Sequence, residues 1–295
     1  MDAIFFADVL LASIALIWLF AAAIQDMKKR EVANWLNFSL VAIALAIRAI
    51  VSVVSSDAGY FIYGIAMTLI FFAIANLFYY ARIFAGGDAK MLVALAAAFA
   101  TTPVFVSSSV TSIGNIQIPF MAVFVLNMLF AGSVYGILWS AALAAKNFKE
   151  FIKEFKKSSR QNRLVRIIFF LLFAIVLLIC FYVKDIILLI IALLALAFPY
   201  LLIFVKAVEN SCMVKSIKAC QLSEGDWLYK AVKIGKKSIM PRWEGLNNAE
   251  ISLIKKSEIR RVMIKQGIPF VPVFLLALII SFFANLLVVL VGIIG

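Results

Sequence analysis

The sequence predicts an all-α polytopic membrane protein of about eight transmembrane helices, with a small cytoplasmic α+β insertion before the last helix. Three observations carry that prediction. The 295-residue chain is 65% hydrophobic with a mean hydropathy of +1.09, more apolar surface than a soluble core can bury. Its apolar residues fall into stretches of about 20, the length a helix needs to cross hydrocarbon, where backbone N–H and C=O find no other partner. Its charge is segregated: 26 of the 28 Lys and Arg fall in loops that share one side of the predicted topology.

In chain order the expected spans are 9–25, 35–54, 60–81, 89–106, 119–145, 164–183, 185–206 and 268–293. Thr101, Thr102 and Pro103 interrupt the fourth. Only Lys184-Asp185 separates the sixth from the seventh, so these two form a tight helical hairpin. Asn76, Asn127 and Asn285 lie within spans, where an amide is expected to bond a neighbouring helix. Paired phenylalanines such as Phe71-Phe72 and Phe169-Phe170 read as lipid or bundle packing.

The loops set the orientation. Lys28, Lys29, Arg30, Arg82, Lys90 and the basic runs 146–166 and 206–265 share one side. Asp2, Asp8, Asp57 and Asp185 fall on the other, and only Arg48 and Lys184 are basic residues elsewhere. The positive-inside rule then places both termini outside the cell membrane and the basic loops in the cytoplasm. A cleaved signal peptide would carry its bases before the apolar run; here Asp2 and Asp8 precede it, so 9–25 reads as a span.

Five regions are expected: a five-helix membrane domain over 1–145, a basic amphipathic segment over 146–163, an additional transmembrane hairpin over 164–206, a small cytoplasmic domain over 207–266, and a final helix over 267–295. Phe148, Phe151, Ile152 and Phe155 recur at helical spacing beside lysines, a pattern that suits the surface of an anionic inner leaflet, so membrane lipid is an expected partner. In the insertion, Ser211–Lys218 and Trp227–Ile234 alternate as short strands do. Asn247 followed by Glu250 marks a capping box ahead of a helix.

Composition also removes whole classes of chemistry. With no histidine, a Ser-His-Asp triad and a His-Glu-x-x-His zinc site are excluded. Cys212 and Cys220 are too far apart for a Cys-x-x-Cys site, and with Cys180 they read as reduced and structural. No metal or cofactor is expected. The basic excess is explained by orientation, so nucleic acid is not an expected partner.

Two acidic residues then stand out. Asp26 opens Asp26-Met27-Lys28-Lys29-Arg30-Glu31-Val32-Ala33-Asn34, and Asp88 sits in Ala85-Gly86-Gly87-Asp88-Ala89-Lys90. The predicted topology brings both to the cytoplasmic side. Two carboxyls held close cannot both ionise, because repulsion in a poorly solvated site raises one pKa. One can then act as base toward water while the other acts as acid toward a carbonyl oxygen and leaving amine. Gly86 and Gly87 are expected to give the backbone conformations closed to other residues and to let a substrate chain approach. Lys90 is expected to offset part of the pair's charge or meet lipid phosphate, and Asn34 to bond the turn after the first span. Weighed singly, each aspartate also reads as an ordinary solvated flank; their shared side is what raises the pair above that.

The pattern Asp-x-Lys-x-x-x-Val-x-Asn after the first span, with Gly86-Gly87-Asp88-Ala89-Lys90-Met91-Leu92 entering the fourth, resembles the type IV prepilin peptidases, most of all the archaeal preflagellin (prearchaellin) peptidase branch. Ile268-Pro269-Phe270-Val271-Pro272 is similar to the opening of that branch's last helix. The resemblance implies a membrane aspartyl protease of the GxGD type, with Asp26 and Asp88 as its catalytic pair. Its substrates would be pilin-like or archaellin precursors carrying class III signal peptides, cut on the cytoplasmic side to remove a short basic leader. Ala85 stands where the family motif has its first glycine. The four-cysteine zinc site and methyltransferase domain of many bacterial members have no counterpart, which implies cleavage without N-methylation. Other readings stay open at this stage: a transport protein, a non-catalytic assembly platform for pilin-like subunits, and presenilin-like cleavage, for which the Tyr-Asp and Pro-Ala-Leu signatures are missing.

Overall fold

The computed structural model describes residues 2–113, 116–235 and 237–294. In chain order it contains α1 (Asp2–Lys29), α2 (Asn34–Ser55), α3 (Ala58–Tyr80), α4 (Gly86–Ala98), β1 (Ser112–Ile113), β2 (Ile116–Gln117), α5 (Phe120–Lys146), α6 (Phe148–Gln161), α7 (Arg163–Val183) and α8 (Ile186–Ser211). Then follow β3 (Val214–Lys218), β4 (Trp227–Leu228), β5 (Val232–Ile234), β6 (Lys237–Ile239), α9 (Asn248–Lys256), β7 (Arg261–Lys265), α10 (Val271–Phe283) and α11 (Leu286–Ile294). Among the described residues six helices are long and apolar enough to cross a membrane: α1, α2, α3, α5, α7 and α8. The protein is thus mostly helical and multi-pass.

Two expected spans are corrected. The one at 89–106 is α4, a helix of 13 residues, about 20 Å long and too short for a bilayer. The one at 268–293 is broken at Ala284-Asn285 into α10 and α11. The physical reasons differ. α4 stops where its carbonyls are taken over by a side chain. Arg48 of α2 is fully buried and donates from Nε to Ala97 O (2.9 Å), from Nη2 to Ala98 O (2.8 Å) and from Nη1 to Tyr60 O (3.3 Å), with Thr101 Oγ1 as a further acceptor. Ala97 O and Ala98 O are among the carbonyls that the C-terminal end of α4 leaves without partners. Irregular backbone at membrane depth survives only where protein satisfies it, and here one guanidinium does so. The break between α10 and α11 is stapled by the buried Asn127 of α5. Its Nδ2 donates to Ala284 O (2.8 Å) and Ser281 Oγ (2.9 Å), and its Oδ1 accepts from Leu286 N–H (2.9 Å).

Asp8, expected at a solvated outer end, is also corrected. It is buried within α1, accepting from the Tyr60 hydroxyl (2.8 Å) and Val104 N–H (2.9 Å). Arg48 and Asp8 are therefore both buried, and both are engaged in closing helix and loop ends.

Contacts divide the chain into two units, residues 1–136 with 268–295, and residues 137–267. In the first, α4 packs against α2 and α3, and α10 against α1. Met91, Leu92 and Ala94–Ala98 of α4 are buried on every side, in one core with Leu19 and Ala22 of α1, Leu36 and Leu40 of α2, and Phe274 and Leu278 of α10.

In the second unit α7 and α8 form the expected hairpin. Lys184 closes α7 in a left-handed conformation (φ 59°), and Asp185 caps α8 by accepting Ile187 N–H at 2.7 Å. The apolar stripe of the basic segment forms α6, but its destination differs from expectation. Phe151 is buried against Phe204 of α8 (5.6 Å between centroids) in a cluster with Ala207, Val208 and Cys212, and Ile152 and Phe155 pack on it. Of that stripe only Phe148 stays exposed. Residues 214–265 form the strand-containing part: an antiparallel sheet in the order β3-β7-β4, a β5–β6 hairpin, and α9 capped by Asn247 and Glu250 as predicted. Ile251, Ile254, Val262 and Ile264 make its core.

Candidate functional site

Asp26 lies in the last turn of α1 and Asp88 in the first turn of α4. An interfacial aspartate acting as a solvated flank would be exposed, as Lys28 and Lys29 beside it are. Asp26 is instead only 7% exposed. Its Oδ2 accepts the N–H of Val271 at 3.0 Å, the first residue of α10, whose unpaired N–H groups favour an anion. Arg30, half-buried one turn on, adds a positive charge acting on the same carboxyl, and Tyr135 of α5 lies within reach of both charges.

Asp88 is half-buried. Its Oδ2 accepts the Ala85 N–H at 3.3 Å, the reaching-back half of a capping box. Burial pushes its pKa up to about 7, and the charge of nearby Asp26 adds to the rise, while the Ala85 N–H opposes it. The charge of one carboxyl is therefore felt at the other. An acid poised near neutrality beside a second carboxyl held by positive partners is suited to general acid–base work.

The two sequence motifs meet through a second pair of contacts. Lys90 Nζ donates to Asn34 Oδ1 at 2.7 Å, and a Cβ on Gly87 would lie 3.8 Å from Val32. Residues 32–34 thus lie against the stretch 87–90. Several expectations about individual residues change here. Lys90 engages Asn34, while the cation whose charge reaches Asp26 is Arg30. The turn after α1 is tied by Gln25, whose Oε1 accepts Ala33 N–H at 3.1 Å, a task expected of Asn34. Gly86 and Gly87 are the first two residues of a regular helix, and neither has a positive φ. Their missing side chains leave only Tyr79 and Val32 within 4 Å of where Cβ atoms would stand, in ordinary contact. What remains for these glycines is a bare helix entrance that another backbone can approach.

An aromatic group joins the segment before α4 to α10, the helix whose first N–H binds Asp26. Phe84, just before α4, stacks near Phe270 (5.8 Å), Phe274 (5.9 Å) and Phe78 (5.1 Å). A Cβ on Gly132 of α5 would come 3.0 Å from the Phe270 ring, so that glycine makes room for it. Sequence reading missed Arg30, Tyr135, Val271 N–H and this aromatic group. Only Arg30 and the Pro-flanked 268–272 segment left a signal in the sequence, and both were read for other purposes.

Residues 13–145 match the model of the type IV leader peptidase family. No curated protein matches the chain. That span holds Asp26, Arg30, Asn34, Gly86, Gly87, Asp88, Lys90 and Tyr135, so the part of the chain that is similar to this family is the part that carries the site.

Proposed function

We propose that this protein is a membrane aspartyl endopeptidase whose catalytic pair is Asp26 and Asp88. It removes the short basic leader of pilin-like or archaellin precursors at the cytoplasmic face of the membrane and leaves the new N-terminus unmethylated. The similarity of residues 13–145 to this family supports peptidase action on pilin-like precursors in general. The observation that carries the aspartyl chemistry is Asp88 poised at about 7 beside a buried Asp26.

In this mechanism one carboxyl takes a proton from water as the oxygen adds to the scissile carbonyl carbon. The other gives its proton to the carbonyl oxygen, so a neutral gem-diol forms and the pair has exchanged charge. On collapse the C–N bond breaks, the amine takes the proton won from water, and a gem-diol hydroxyl returns one to the acid. Gly86, Gly87, Lys90 and Asn34 form the entrance over which the substrate backbone lies. A precursor with an apolar helix reaches the site by lateral diffusion, so cleavage depends on that helix as well as on the leader.

The test is co-expression with a pilin-like precursor in membranes, reading the precursor's size shift. Asp26→Asn and Asp88→Asn should each abolish it. A single variant that processes at near wild-type rate refutes the dyad and favours a non-catalytic assembly or transport protein. Equal turnover of a soluble leader peptide lacking the helix refutes the lateral route.

A further inference from the structure

Arg30 ends α1 in a left-handed conformation, φ +61°, which helix ends usually assign to glycine because a Cβ crowds the backbone there. Its N–H closes the last turn on Asp26 O at 2.8 Å, a bond any residue could make. Glycine would serve that turn with less strain. The side chain does what glycine cannot. Lys28 and Lys29 are exposed, whereas Arg30 is half-buried, one turn from Asp26, and its charge is felt by Asp26 and Tyr135.

The groups facing Asp26 are unequal in sign. Burial disfavours its charged form; the Val271 N–H at the start of α10 and Arg30 favour the carboxylate, Asp88 of α4 opposes it, and Tyr135 of α5 is neutral unless deprotonated. Lys90 is engaged with Asn34. Asp88 has the longer bond of the two, 3.3 Å to its own Ala85 N–H, and faces the negative charge of Asp26.

We propose that Arg30 is a positioning residue that fixes the division of labour in the dyad, holding Asp26 as the carboxylate that activates water and leaving the shared proton on Asp88. Asp26 then takes the water proton and later passes it to the leaving amine. Asp88 protonates the carbonyl oxygen and recovers its proton when the gem-diol collapses. This rests on the peptidase reading above and adds the assignment of acid and base.

The experiment compares wild type, Arg30→Gly, Arg30→Lys and Lys29→Gln. Each is reconstituted in phosphatidylcholine vesicles with a full-length pilin-like precursor. Cleavage rate is followed from about pH 4 to pH 8, with thermal unfolding in parallel. Arg30→Gly should keep or raise the unfolding midpoint, since the backbone there suits glycine. It should nonetheless move the acid limb of the rate profile upward by about one pH unit or more. Arg30→Lys should recover part of that movement, and Lys29→Gln, with the same change in net charge, should leave the limb in place. An Arg30→Gly profile that coincides with wild type overturns the proposal, as does an Arg30→Gly protein whose midpoint falls in step with its activity. Asp26→Asn and Asp88→Asn separate the two levels. If both are inactive while Arg30→Gly is normal, only the role of Arg30 fails; if both remain active, the peptidase reading itself fails.

Discussion

Gly64→Ala offers a sharp test of how α4 is held in place. A Cβ at Gly64 of α3 would stand 2.7 Å from Arg48 Cδ and 3.4 Å from Leu45 Cδ2. Carbon atoms pack comfortably from about 3.5 Å, so the overlap with Cδ is on the order of 0.8 Å. Arg48 has no room to yield, because its guanidinium is pinned by the carbonyls of Ala97, Ala98 and Tyr60 and by Thr101. In an unconstrained helix interior the same change gains about 1 kcal/mol. Overpacking costs about 1–3 kcal/mol, and weakening a charged hydrogen bond about 1.5–3 kcal/mol. The opposing terms outweigh the propensity gain, so Gly64→Ala should destabilise by about 1–3 kcal/mol. The assay is unfolding by a graded denaturing detergent, run as a cycle with Arg48→Ala. With Arg48 truncated the clash disappears and Gly64→Ala should become neutral or stabilising. Equal effects in both backgrounds, or stabilisation with Arg48 intact, would refute the reasoning.

Four further outcomes are expected. Cleavage should decline as pH rises through about 7, because Asp88 must carry a proton and its pKa is raised to about 7. The same raised carboxyl contributes stability that is complete below the unfolded value of about 3.9 and is lost as pH rises through about 7. Asp88→Asn should flatten that loss in thermal scans from about pH 4 to pH 8, and an unchanged slope counts against the coupling. Asn127→Leu removes both donor bonds and the acceptor bond at the α10–α11 break, and should cost about 2–3 kcal/mol in detergent unfolding; a cost under about 0.5 kcal/mol would show that the break is held by something else. Asn37 of α2 is buried with neither amide atom hydrogen-bonded, so Asn37→Leu should be neutral or stabilise by up to about 2 kcal/mol, and a large loss of stability would contradict that account.

Helix existence was legible wherever apolar length alone decides it, as in α1–α3, α5, α7 and α8. It failed for α4 and for the last span because hydropathy counts residues and ignores end-capping. Nothing in the composition of 89–106 reveals that an arginine 49 positions upstream of Ala97 ends the helix there. Asp8 reads as an outer-end charge because its partners, Tyr60 and the backbone of Val104, are distant in sequence, as are the Ala97 and Ala98 carbonyls that Arg48 binds. The α6 stripe shows the same limit: periodicity predicts an amphipathic helix but cannot choose between lipid and Phe204 as its cover. At the site, residue types and spacing led to Asp26 and Asp88, yet the duties expected of Asn34 and Lys90 fall to Gln25 and Arg30. Asn34 and Lys90 are polar residues near the carboxyls, and only geometry shows that they satisfy each other.

The bond between Asp26 and the Val271 amide joins groups 245 residues apart. A nascent chain that has delivered α1 to α5 to the bilayer holds both acidic side chains but not yet the amide that polarises one of them. The surroundings of Asp26 are therefore complete only once α10 has been inserted beside α1, and a ribosome stalled before that point leaves this carboxyl without its backbone donor.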